Sequence, residues 1–393
     1  MMIFRMDSKT HRILVLDANQ RSGLAVIRSL GRAFPMADIT AADETPSAIG
    51  GASRYTKHYL HYPSPTSEPQ AFLDWISSHN NSRRYDLILP TTEVTSQLLL
   101  QGTDALPIPF AGYNTVMALA NKARLVETAQ KIGIPVPESQ FFANAAALDP
   151  RQLTYPCVLK PAQSKIFTGS GWVATTVRLL KDETDLNQAL SGDDYLAEHP
   201  FMIQAFIPGH GAGVFCLYDK GAAVQFFAHE RLREKPPEGG VSVLSQSAPL
   251  TPQLVEYSRQ LLDQVHWHGV AMVEFRIAPD GQAYLMEVNT RFWGSLQLAI
   301  DSGVDFPAQL AKRHLGLPTE PVTDYKVGQR LRWLLGDLDS LYIFLKRPHP
   351  LSAKFKRVLQ FLTPRFRGQK HEVNRLHDFK PFIEELRQYV RNL

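Results

Sequence analysis

Short apolar runs alternate with helix-like segments over the first part of the chain. Residues 13–16, 39–42 and 85–89 are rich in apolar side chains, as the strands of a buried parallel sheet are. The segments with helical periodicity are 24–34, 70–78 and 95–101. Strands that alternate with helices indicate parallel pairing through crossover connections. We therefore predict an α/β domain over residues 10–112.

Polar side chains follow two of these predicted strands. Asn19, Arg21 and Ser22 come after the first strand, and Thr91, Thr92 and Glu93 come after the last. Ligands bind at the carboxyl ends of parallel strands, so these side chains are candidates for substrate contacts. The first turn lacks the Gly-x-Gly-x-x-Gly spacing of a dinucleotide site, and no Walker-type motif occurs in the chain. A domain that serves only as a scaffold is the alternative.

Residues 270–294 have the pattern of a β-hairpin. Two alternating apolar runs flank a Pro-Asp-Gly sequence at 279–281, which is typical of a turn. We predict a two-residue loop made of the Asp and the Gly. That loop would place Glu274 directly opposite Glu287, with their Cβ atoms about 4.5–5.5 Å apart.

Two carboxylates that face each other repel, unless a cation lies between them. Asn289 shares the face of Glu287 because strand side chains alternate, and Arg291 follows on that face if the strand continues. Carboxylate and amide oxygens are ligands that Mg²⁺ prefers, usually together with substrate phosphates. The pattern predicts either a metal site on Glu274, Glu287 and Asn289 or an exposed hairpin rim with side chains that splay into water.

Lysine and glycine residues form a second group of candidates. Lys160 ends a predicted apolar strand, where its amine either reaches water or meets an anion. The polar loop that follows contains Gly169 and Gly171, and the backbone N–H groups of such a loop can bind phosphate. Lys122 lies in a single helix predicted over residues 115–133, where a solvated surface charge is the usual role of a lysine.

A third group is the run of cations at residues 231–235, which precedes Gly239 and Gly240. Arg231 and Arg233 in this run suit a carboxylate or a phosphate, since a guanidinium group binds such anions through two parallel N–H bonds. A solvated, charged strand is the alternative.

These segments together resemble the ATP-grasp superfamily. Glu274 followed by Glu287-x-Asn289-x-Arg291 is similar to the metal-binding signature of that superfamily. The branch that it most resembles contains biotin carboxylase and the large chain of carbamoyl phosphate synthetase. In the superfamily the two acids and the amide hold Mg²⁺ against the nucleotide phosphates, and the arginine lies near the acyl phosphate. The resemblance extends over residues 10–320.

The resemblance implies roles for the other candidates. Lys122 and Lys160 would contact the nucleotide phosphates beneath a mobile glycine-rich lid that contains Gly169 and Gly171. Arg291, together with Arg231 and Arg233, would hold the carboxylate and stabilise the tetrahedral acyl intermediate.

Residues 201–209 resemble the hinge strand that receives adenine in ATP-grasp proteins. The resemblance therefore implies nucleotide contacts for Gln204, Phe206 and Ile207. The chain departs from the family pattern at Ala205, where a glutamate is common, and the acid that often bonds ribose is missing.

The fold class that we expect is α/β. A Rossmann-like pre-ATP-grasp domain would occupy residues 10–112, and an ATP-grasp α+β domain would occupy 113–320, with a small lid subdomain at about 150–205. A basic, mainly helical C-terminal extension would follow over 321–393.

The function that the resemblance implies is an ATP- and Mg²⁺-dependent ligase that joins a carboxylate to an amine or thiol through an acyl phosphate. Mn²⁺ is the expected substitute for Mg²⁺. One alternative is an ATP-binding protein without ligase activity, acting as a sensor or partner subunit. The other is an ATP-grasp phosphotransferase, which would release a stable phosphorylated product.

Composition restricts the class of protein. Hydrophobic residues make up 44% and charged residues 20% of the chain, which indicates a globular protein with a sizeable core. Only Cys157 and Cys216 occur, so a disulfide framework and a cysteine-rich zinc site are excluded. Two buried thiols are expected in a reducing cytoplasm. Neither a signal peptide nor an apolar run long enough for a membrane span is visible.

The basic charge is concentrated in the tail. Residues 321–393 contain 15 Lys and Arg against 7 Asp and Glu, whereas the rest of the chain is slightly acidic. The basic amphipathic segment at 340–367 either binds an anionic membrane surface or an acidic partner, or packs as a helical appendage. No nucleic-acid-binding module is recognisable, so we expect no nucleic-acid partner. The expected partners are a small-molecule carboxylate and amine, and a second copy of the chain in a homodimer.

Overall fold

The computed structural model describes residues 10–392 apart from 103–105, 169–170, 238–239, 321, 323 and 364–367. The strands in that part of the chain are β1 (Arg12–Val15), β2 (Asp38–Asp43), β3 (His58–His61), β4 (Leu87–Leu89), β5 (Ser139–Phe142), β6 (Cys157–Pro161), β7 (Lys165–Phe167), β8 (Trp172–Ala174), β9 (Arg178–Leu180), β10 (Phe201–Ala205), β11 (His210–Asp219), β12 (Ala222–Lys235), β13 (Val241–Ala248), β14 (Gly269–Ile277), β15 (Ala283–Asn289), β16 (Arg330–Arg332) and β17 (Gln369–His371). The α-helices are α1 (Arg21–Ala33), α2 (Pro69–Arg83), α3 (Glu93–Gly102), α4 (Tyr113–Ala120), α5 (Lys122–Lys131), α6 (Glu183–Gly192), α7 (Pro252–Gln264), α8 (Leu296–Ser302), α9 (Phe306–His314), α10 (Leu334–Lys346), α11 (Leu351–Leu362) and α12 (Lys380–Arg391). None of these helices is long and apolar enough to cross a membrane.

The N-terminal sheet is parallel, as the apolar runs predict. Its order is β3-β2-β1-β4, and Ile13 of β1 lies opposite Ile39 of β2 and Leu87 of β4. β3 was not predicted, because its sequence, His-Tyr-Leu-His, has no apolar run. The carboxyl ends of β1 and β4 therefore meet at one edge, where the polar candidates lie.

A second, smaller sheet is antiparallel. Its order is β5-β10-β6-β9, and it packs with α6 around Cys157, Leu159, Leu186 and Phe201. Because β5 pairs with β10, this unit begins earlier than the lid boundary predicted at about 150. β7 and β8 form a separate hairpin beyond it.

The largest sheet in the described part of the chain has the order β15-β14-β11-β12-β13-β16-β17. One apolar core joins this sheet to the N-terminal domain, and it includes Val15 of β1, Val26 of α1, Phe215 of β11 and Leu298 of α8. The two sheets are therefore held together by shared hydrophobic burial.

The tail contributes two short strands besides its helices, and these strands were not predicted. β16 pairs with β13, and β17 pairs with β16 in parallel. Helices α10, α11 and α12 account for the expected helical character. The two strands have only three residues each, with sequences Arg-Leu-Arg and Gln-Lys-His, so they lack a recognisable strand pattern.

The single helix predicted over residues 115–133 is wrong, because the chain forms two helices there. Asn121 lies between α4 and α5 with an extended backbone. Its side chain accepts hydrogen bonds from the backbone N–H groups of Ala123 and Arg124. Asparagine is a strong N-cap, so it begins a new helix here. Lys122 is consequently the first residue of a helix instead of a mid-helix surface residue.

Arg28 of α1 anchors the tail to the N-terminal domain. Its Nε donates to Asp378 Oδ2 at 2.8 Å, and its other nitrogens donate to the backbone oxygens of Glu372, Val373 and Asp378. Both side chains of the ion pair are 1% exposed. Removing one partner of a buried pair leaves an uncompensated charge.

We expect Arg28→Ala to lower the free energy of unfolding by about 3–5 kcal/mol, measured by urea denaturation. Arg32→Ala is the matched control, since Arg32 is exposed on the same helix, and its effect should stay within about 0.5 kcal/mol. Equal losses in the two variants would contradict the anchoring role.

Candidate active site

The β14–β15 hairpin places Glu274 directly opposite Glu287, as predicted. The turn is different from the predicted two-residue loop. Ala278 N donates to Gln282 O at 2.9 Å, so the loop has three residues, Pro-Asp-Gly. A register shift at Met286 offsets this extra residue. The two deviations cancel, and the predicted pairing is correct although the predicted turn is wrong.

Polar partners surround the two acids. Asn289 Nδ2 lies 3.1 Å from Glu287 Oε1 and 3.4 Å from Glu274 Oε1. Arg231 Nη2 donates to Glu274 Oε1 at 2.9 Å, and Arg291 Nη2 donates to Asn289 Oδ1 at 3.3 Å. Burial and then the neighbouring Glu287 raise the pKa of Glu274, although the Arg231 guanidinium opposes this shift. The two arginines therefore do not fully offset the burial and mutual repulsion of the acids.

The side-chain oxygens of Glu274, Glu287 and Asn289 form a set of ligands that fits a divalent cation. A cation between Glu274 and Glu287 would favour the ionised form of both carboxylates. No group of three or more His, Cys, Asp or Glu side chains suited to a metal occurs among the described residues. An ion held by these two acids and the amide of Asn289 would complete its shell with water or phosphate oxygens, as Mg²⁺ usually does.

Arg231 and Arg233 were predicted to act together, but the structure separates them. The ladder pairs Arg231 with Ser245 and Arg233 with Leu244, so Leu232 is an extra residue that forms a β-bulge. Because of the bulge, the two arginines point to opposite faces of the sheet. Arg233 binds Asp337 through both carboxylate oxygens and does not reach the acid pair. Its predicted place in the catalytic group is therefore not supported.

Lys160 lies on β6 and is 7% exposed. Its Nζ donates to Gln204 Oε1 at 2.6 Å, and Gln204 Nε2 donates to Ser139 Oγ at 3.0 Å. Burial lowers the pKa of Lys160 to about 8, whereas the charges of Glu287 and Glu274 oppose that shift. The carboxylates of Glu287 and Glu274 are thus close enough to act on the charge of Lys160. The side-chain oxygen of Gln204 therefore fixes the position of the Lys160 ammonium group.

Lys122 is also buried, at 6% exposure, in contrast to a solvated surface lysine. Its backbone N donates to Ala162 O at 2.9 Å, and its Nζ lies 3.4 Å from Ser164 Oγ. The positive charge of Lys122 contributes to the lowered pKa of Lys160, so the two ammonium groups are close enough for their charges to interact. Two adjacent buried cations suit an anion with several oxygens, such as a phosphate.

The segment predicted to receive adenine, residues 201–209, consists of β10 and the four residues that follow it. Phe206 is 37% exposed, and Ile207 O accepts a hydrogen bond from Arg276 Nε at 3.2 Å. Gly209 has φ 125°, and a Cβ there would lie 1.9 Å from Ile277 O, so only glycine allows this crossing. An exposed aromatic ring beside a strand end can stack on a base.

The structure describes one of the two predicted lid glycines. Gly171 lies immediately before β8, in the small β7–β8 hairpin region. Gly169 lies outside the described residues. Ser164 and Lys165, at the start of this segment, line a cavity that reaches the N-terminal domain.

Two adjoining cavities meet beside the acid pair. The smaller has a volume of about 270 Å³ and is lined by Glu274, Glu287, Asn289 and Arg231 among others. The larger has a volume of about 490 Å³ and lies over the carboxyl ends of β1 and β4. The residues that line both are Arg21, Val241, Arg291 and Gly294. The cavity over the strand ends therefore adjoins the cavity at the acids.

All six polar strand-end candidates line the larger cavity: Asn19, Arg21, Ser22, Thr91, Thr92 and Glu93. Asp17, which was not among the predicted site residues, holds the backbone at this edge of the sheet. It accepts hydrogen bonds from the backbone N–H groups of Thr91 and Thr92, both at 2.8 Å, and from Thr95 Oγ1 at 2.6 Å. Burial raises the pKa of Asp17, whereas these hydrogen bonds oppose the shift.

Arg21 extends from α1 into both cavities, close to Gly294. The tail holds its guanidinium group: Nη1 lies 2.5 Å from Glu372 Oε2, and the Trp333 ring lies 4.0 Å away. The tail therefore positions a cation at the site. Neither contact partner could be found from sequence, because both lie more than 300 residues from Arg21.

His229 and Trp293 were not among the predicted site residues, yet both line the smaller cavity. Both side chains are buried, and their centroids lie 4.6 Å and 4.4 Å from the ring of Phe215. Within the described part of the chain, His229 Nδ1 and Trp293 Nε1 have no hydrogen-bond partner. Unsatisfied buried polar atoms beside a cavity are candidates for ligand contacts.

Burial, and to a lesser extent the Arg231 charge, lower the pKa of His229 to about 3. The unfolded chain binds this proton near pH 6.5, so the stability that the neutral ring contributes is lost as the pH falls from 6.5 towards 3. We expect a loss of up to about 1.4 kcal/mol per pH unit from this residue. His229→Asn should flatten the pH dependence of urea unfolding over that range. His210→Asn, at an exposed position, should leave it unchanged, and equal slopes in the wild type and His229→Asn would contradict the account.

Sequence comparison gives one family match. A sequence profile described as "ATP-grasp in the biosynthetic pathway with Ter operon" matches residues 197–336, which include both acids, Asn289 and Arg291. A search of curated proteins finds no significant match.

Solved structures share the architecture at low sequence identity. An L-amino acid ligase from Bacillus licheniformis is 18% identical, with a TM-score of 0.61 over 80% of this chain and 75% of that chain. A biotin carboxylase complex from Campylobacter jejuni is 15% identical, with a TM-score of 0.63 over 82% and 74%. An N5-carboxyaminoimidazole synthetase from Staphylococcus aureus, complexed with ADP, is 13% identical, with a TM-score of 0.61 over 83% and 82%. The resemblance to the ATP-grasp superfamily is confirmed, and the chain has the ATP-grasp fold.

Proposed function

We propose that this protein is an ATP- and Mg²⁺-dependent ligase that joins a carboxylate to an amine through an acyl phosphate. The observation that supports this most strongly is the facing pair of Glu274 and Glu287 beside the buried ammonium groups of Lys122 and Lys160, within the ATP-grasp fold. Several structures similar to this chain are described as ligases or synthetases, and three are described as complexes with ADP.

The acids and lysines have separate tasks in this proposal. Glu274, Glu287 and Asn289 would hold Mg²⁺, with Mn²⁺ as the substitute. The ion supplies charge stabilisation to the phosphate oxygens when it is bound. Lys122 and Lys160 would bind the phosphates of ATP through charge-assisted hydrogen bonds. The segment with Gln204, Phe206 and Ile207 would lie along the adenine, and the loop with Gly169 and Gly171 would cover the phosphates.

The larger cavity would receive the carboxylate substrate. Arg291 and Arg21 lie where this cavity meets the acid pair, so they would bind the carboxylate there. A carboxylate oxygen would then attack the terminal phosphorus of ATP, and ADP would leave. Arg231, which contacts Glu274, would face the charge that develops on the carbonyl oxygen when an amine attacks and phosphate departs.

In this proposal, residues 10–112 form the Rossmann-like pre-ATP-grasp domain and 113–320 the ATP-grasp domain. Residues 321–393 form an extension that helps to build the site, since Glu372 holds Arg21. The proposed partners are a small-molecule carboxylate and an amine, in a homodimeric cytoplasmic enzyme.

Hydroxylamine trapping distinguishes the ligase from its alternatives. The protein is incubated with ATP, Mg²⁺, hydroxylamine and a panel of carboxylates, including amino acids. A ligase gives a hydroxamate, with ADP and phosphate released in equal amounts, because hydroxylamine replaces the amine. A phosphotransferase gives a stable phosphorylated product without hydroxamate. An ATP-binding sensor, which Ala205 and the missing ribose acid keep as an alternative, binds ATP without turnover across the whole panel.

A further inference from the structure

A cavity of about 440 Å³ lies on the other face of the large sheet, between β12, β13, β16 and helix α11. The residues that line it are Leu232, Arg233, Leu244, Arg330, Arg332, Lys356, Leu359, Gln360, Thr363 and Gln369. Four of these described residues are cationic, and none is acidic. The β-bulge at Leu232 turns Arg233 into this cavity and away from the acid pair, so the two sites are separated by the sheet.

A buried carboxylate beneath this cavity is shared among three arginines. Asp337 of α10 is 0% exposed. It accepts hydrogen bonds from Arg233, Arg332 and Arg357, at distances of 2.5–2.8 Å. One negative charge thus faces three positive charges. Burial lowers the pKa of both Arg332 and Arg357, although the Asp337 carboxylate opposes this.

Two of these guanidinium groups keep unused donors. Arg332 is 6% exposed and Arg357 is 8% exposed. Arg332 Nη2 and Arg357 Nη1 are buried and have no hydrogen-bond partner in the part of the chain that the structure describes. Unpaired buried charge and unsatisfied donors are costly, so proteins usually pair them. An anion in the cavity would supply the missing negative charge, and it would lie against Arg332, which lines the cavity, whereas Arg357 is not among the lining residues.

We propose that this cavity, here called the Asp337 cavity, binds a phosphate group of a ligand that also carries an aliphatic part. A phosphate offers several oxygens at once to Arg332, Arg330 and the ammonium group of Lys356. Leu232, Leu244 and Leu359 line the same space and would contact the aliphatic part. This binding is independent of the proposed ATP site.

Two kinds of ligand combine a phosphate group with an aliphatic part: a soluble phosphate ester and an anionic phospholipid. Helix α11 carries Leu351, Phe355 and Leu362, which are 65–85% exposed and could contact a lipid surface. The experiment therefore has two arms. One measures binding of inorganic phosphate and glycerol phosphate by calorimetry, and the other measures sedimentation with phosphatidylglycerol vesicles, with phosphatidylcholine vesicles as the uncharged reference.

Lys356→Glu is the test variant, because Lys356 is exposed, lines the cavity and takes no part in the Asp337 contacts. Lys354→Glu is the matched control, since it makes the same charge change on the same helix outside the cavity lining. We expect Lys356→Glu to weaken binding at least about tenfold in one arm, whereas Lys354→Glu leaves it within about twofold. Loss in the phosphate arm identifies a soluble ligand, and loss in the vesicle arm alone identifies a headgroup.

The proposal is overturned if the wild type binds in neither arm, or if the two lysine variants weaken binding equally. A thermal unfolding measurement checks the same point independently. Phosphate should raise the Tm of the wild type and of Lys354→Glu more than that of Lys356→Glu, because only a ligand bound to the folded cavity stabilises it. Neither readout depends on ATP turnover, so failure here leaves the proposed ligase activity untouched.

Discussion

Glu287→Gln is expected to lower ATP turnover about 10²–10³-fold or more, while the fold is retained. Glu287 faces Glu274 across the hairpin, and the two carboxylates with Asn289 form the donor set proposed for Mg²⁺. Glutamine keeps the size of the side chain but removes its charge, so the affinity for a divalent cation falls. The measurement is ADP release with a substrate found by hydroxylamine trapping, over a range of Mg²⁺ concentrations.

Glu256→Gln is the control for this prediction. Glu256 lies on α7, and its carboxylate bonds only Gln260 at the surface among the described residues. The turnover of the Glu256→Gln variant, and the dependence of that turnover on Mg²⁺, should match those of the wild type. If Glu287→Gln kept wild-type turnover at low Mg²⁺, the metal assignment would be wrong.

Lys160→Met is expected to weaken nucleotide binding about 10- to 100-fold, which corresponds to the loss of a charge-assisted hydrogen bond in a buried site. Lys160 is buried on β6, within range of the charges of Lys122 and the acid pair. Lys181→Met is the control, because Lys181 is exposed near the same small sheet. Binding of a non-hydrolysable ATP analogue measures the change.

The lowered pKa gives this second prediction a pH signature. Because burial lowers the pKa of Lys160 to about 8, the cationic form that binds phosphate is lost as the pH rises through 8. Wild-type affinity for the nucleotide should therefore fall between pH 8 and 9.5, and Lys160→Met should lack that fall. The same pH dependence in both proteins would show that Lys160 does not contact the phosphates.

The sequence predicted those elements whose pattern of apolar and turn residues is local. The Glu274–Glu287 pairing followed from alternation on both sides of a Pro-Asp-Gly turn, and it survived an error in loop length because a bulge at Met286 restored the register. The parallel N-terminal sheet followed from apolar runs, and the polar residues after β1 and β4 do line one cavity.

Features that depend on distant contacts could not be predicted. Nothing in the sequence around Arg233 marks the bulge at Leu232 that directs this side chain to Asp337. The break between α4 and α5 had a local signal, the capping residue Asn121, which a continuous apolar face obscured. The contact of Arg21 with Glu372 joins opposite ends of the chain, so it became visible only in the folded protein.

Calorimetry with a non-hydrolysable ATP analogue tests most directly whether the hairpin acids hold a metal against nucleotide phosphates. The titration is made on the wild type and on Glu287→Gln, each with and without Mg²⁺. We predict that the wild type binds the analogue more tightly by at least about tenfold when Mg²⁺ is present, and that Glu287→Gln loses this gain. Binding by the wild type that is the same with and without Mg²⁺, or no binding at all, would contradict the proposed site.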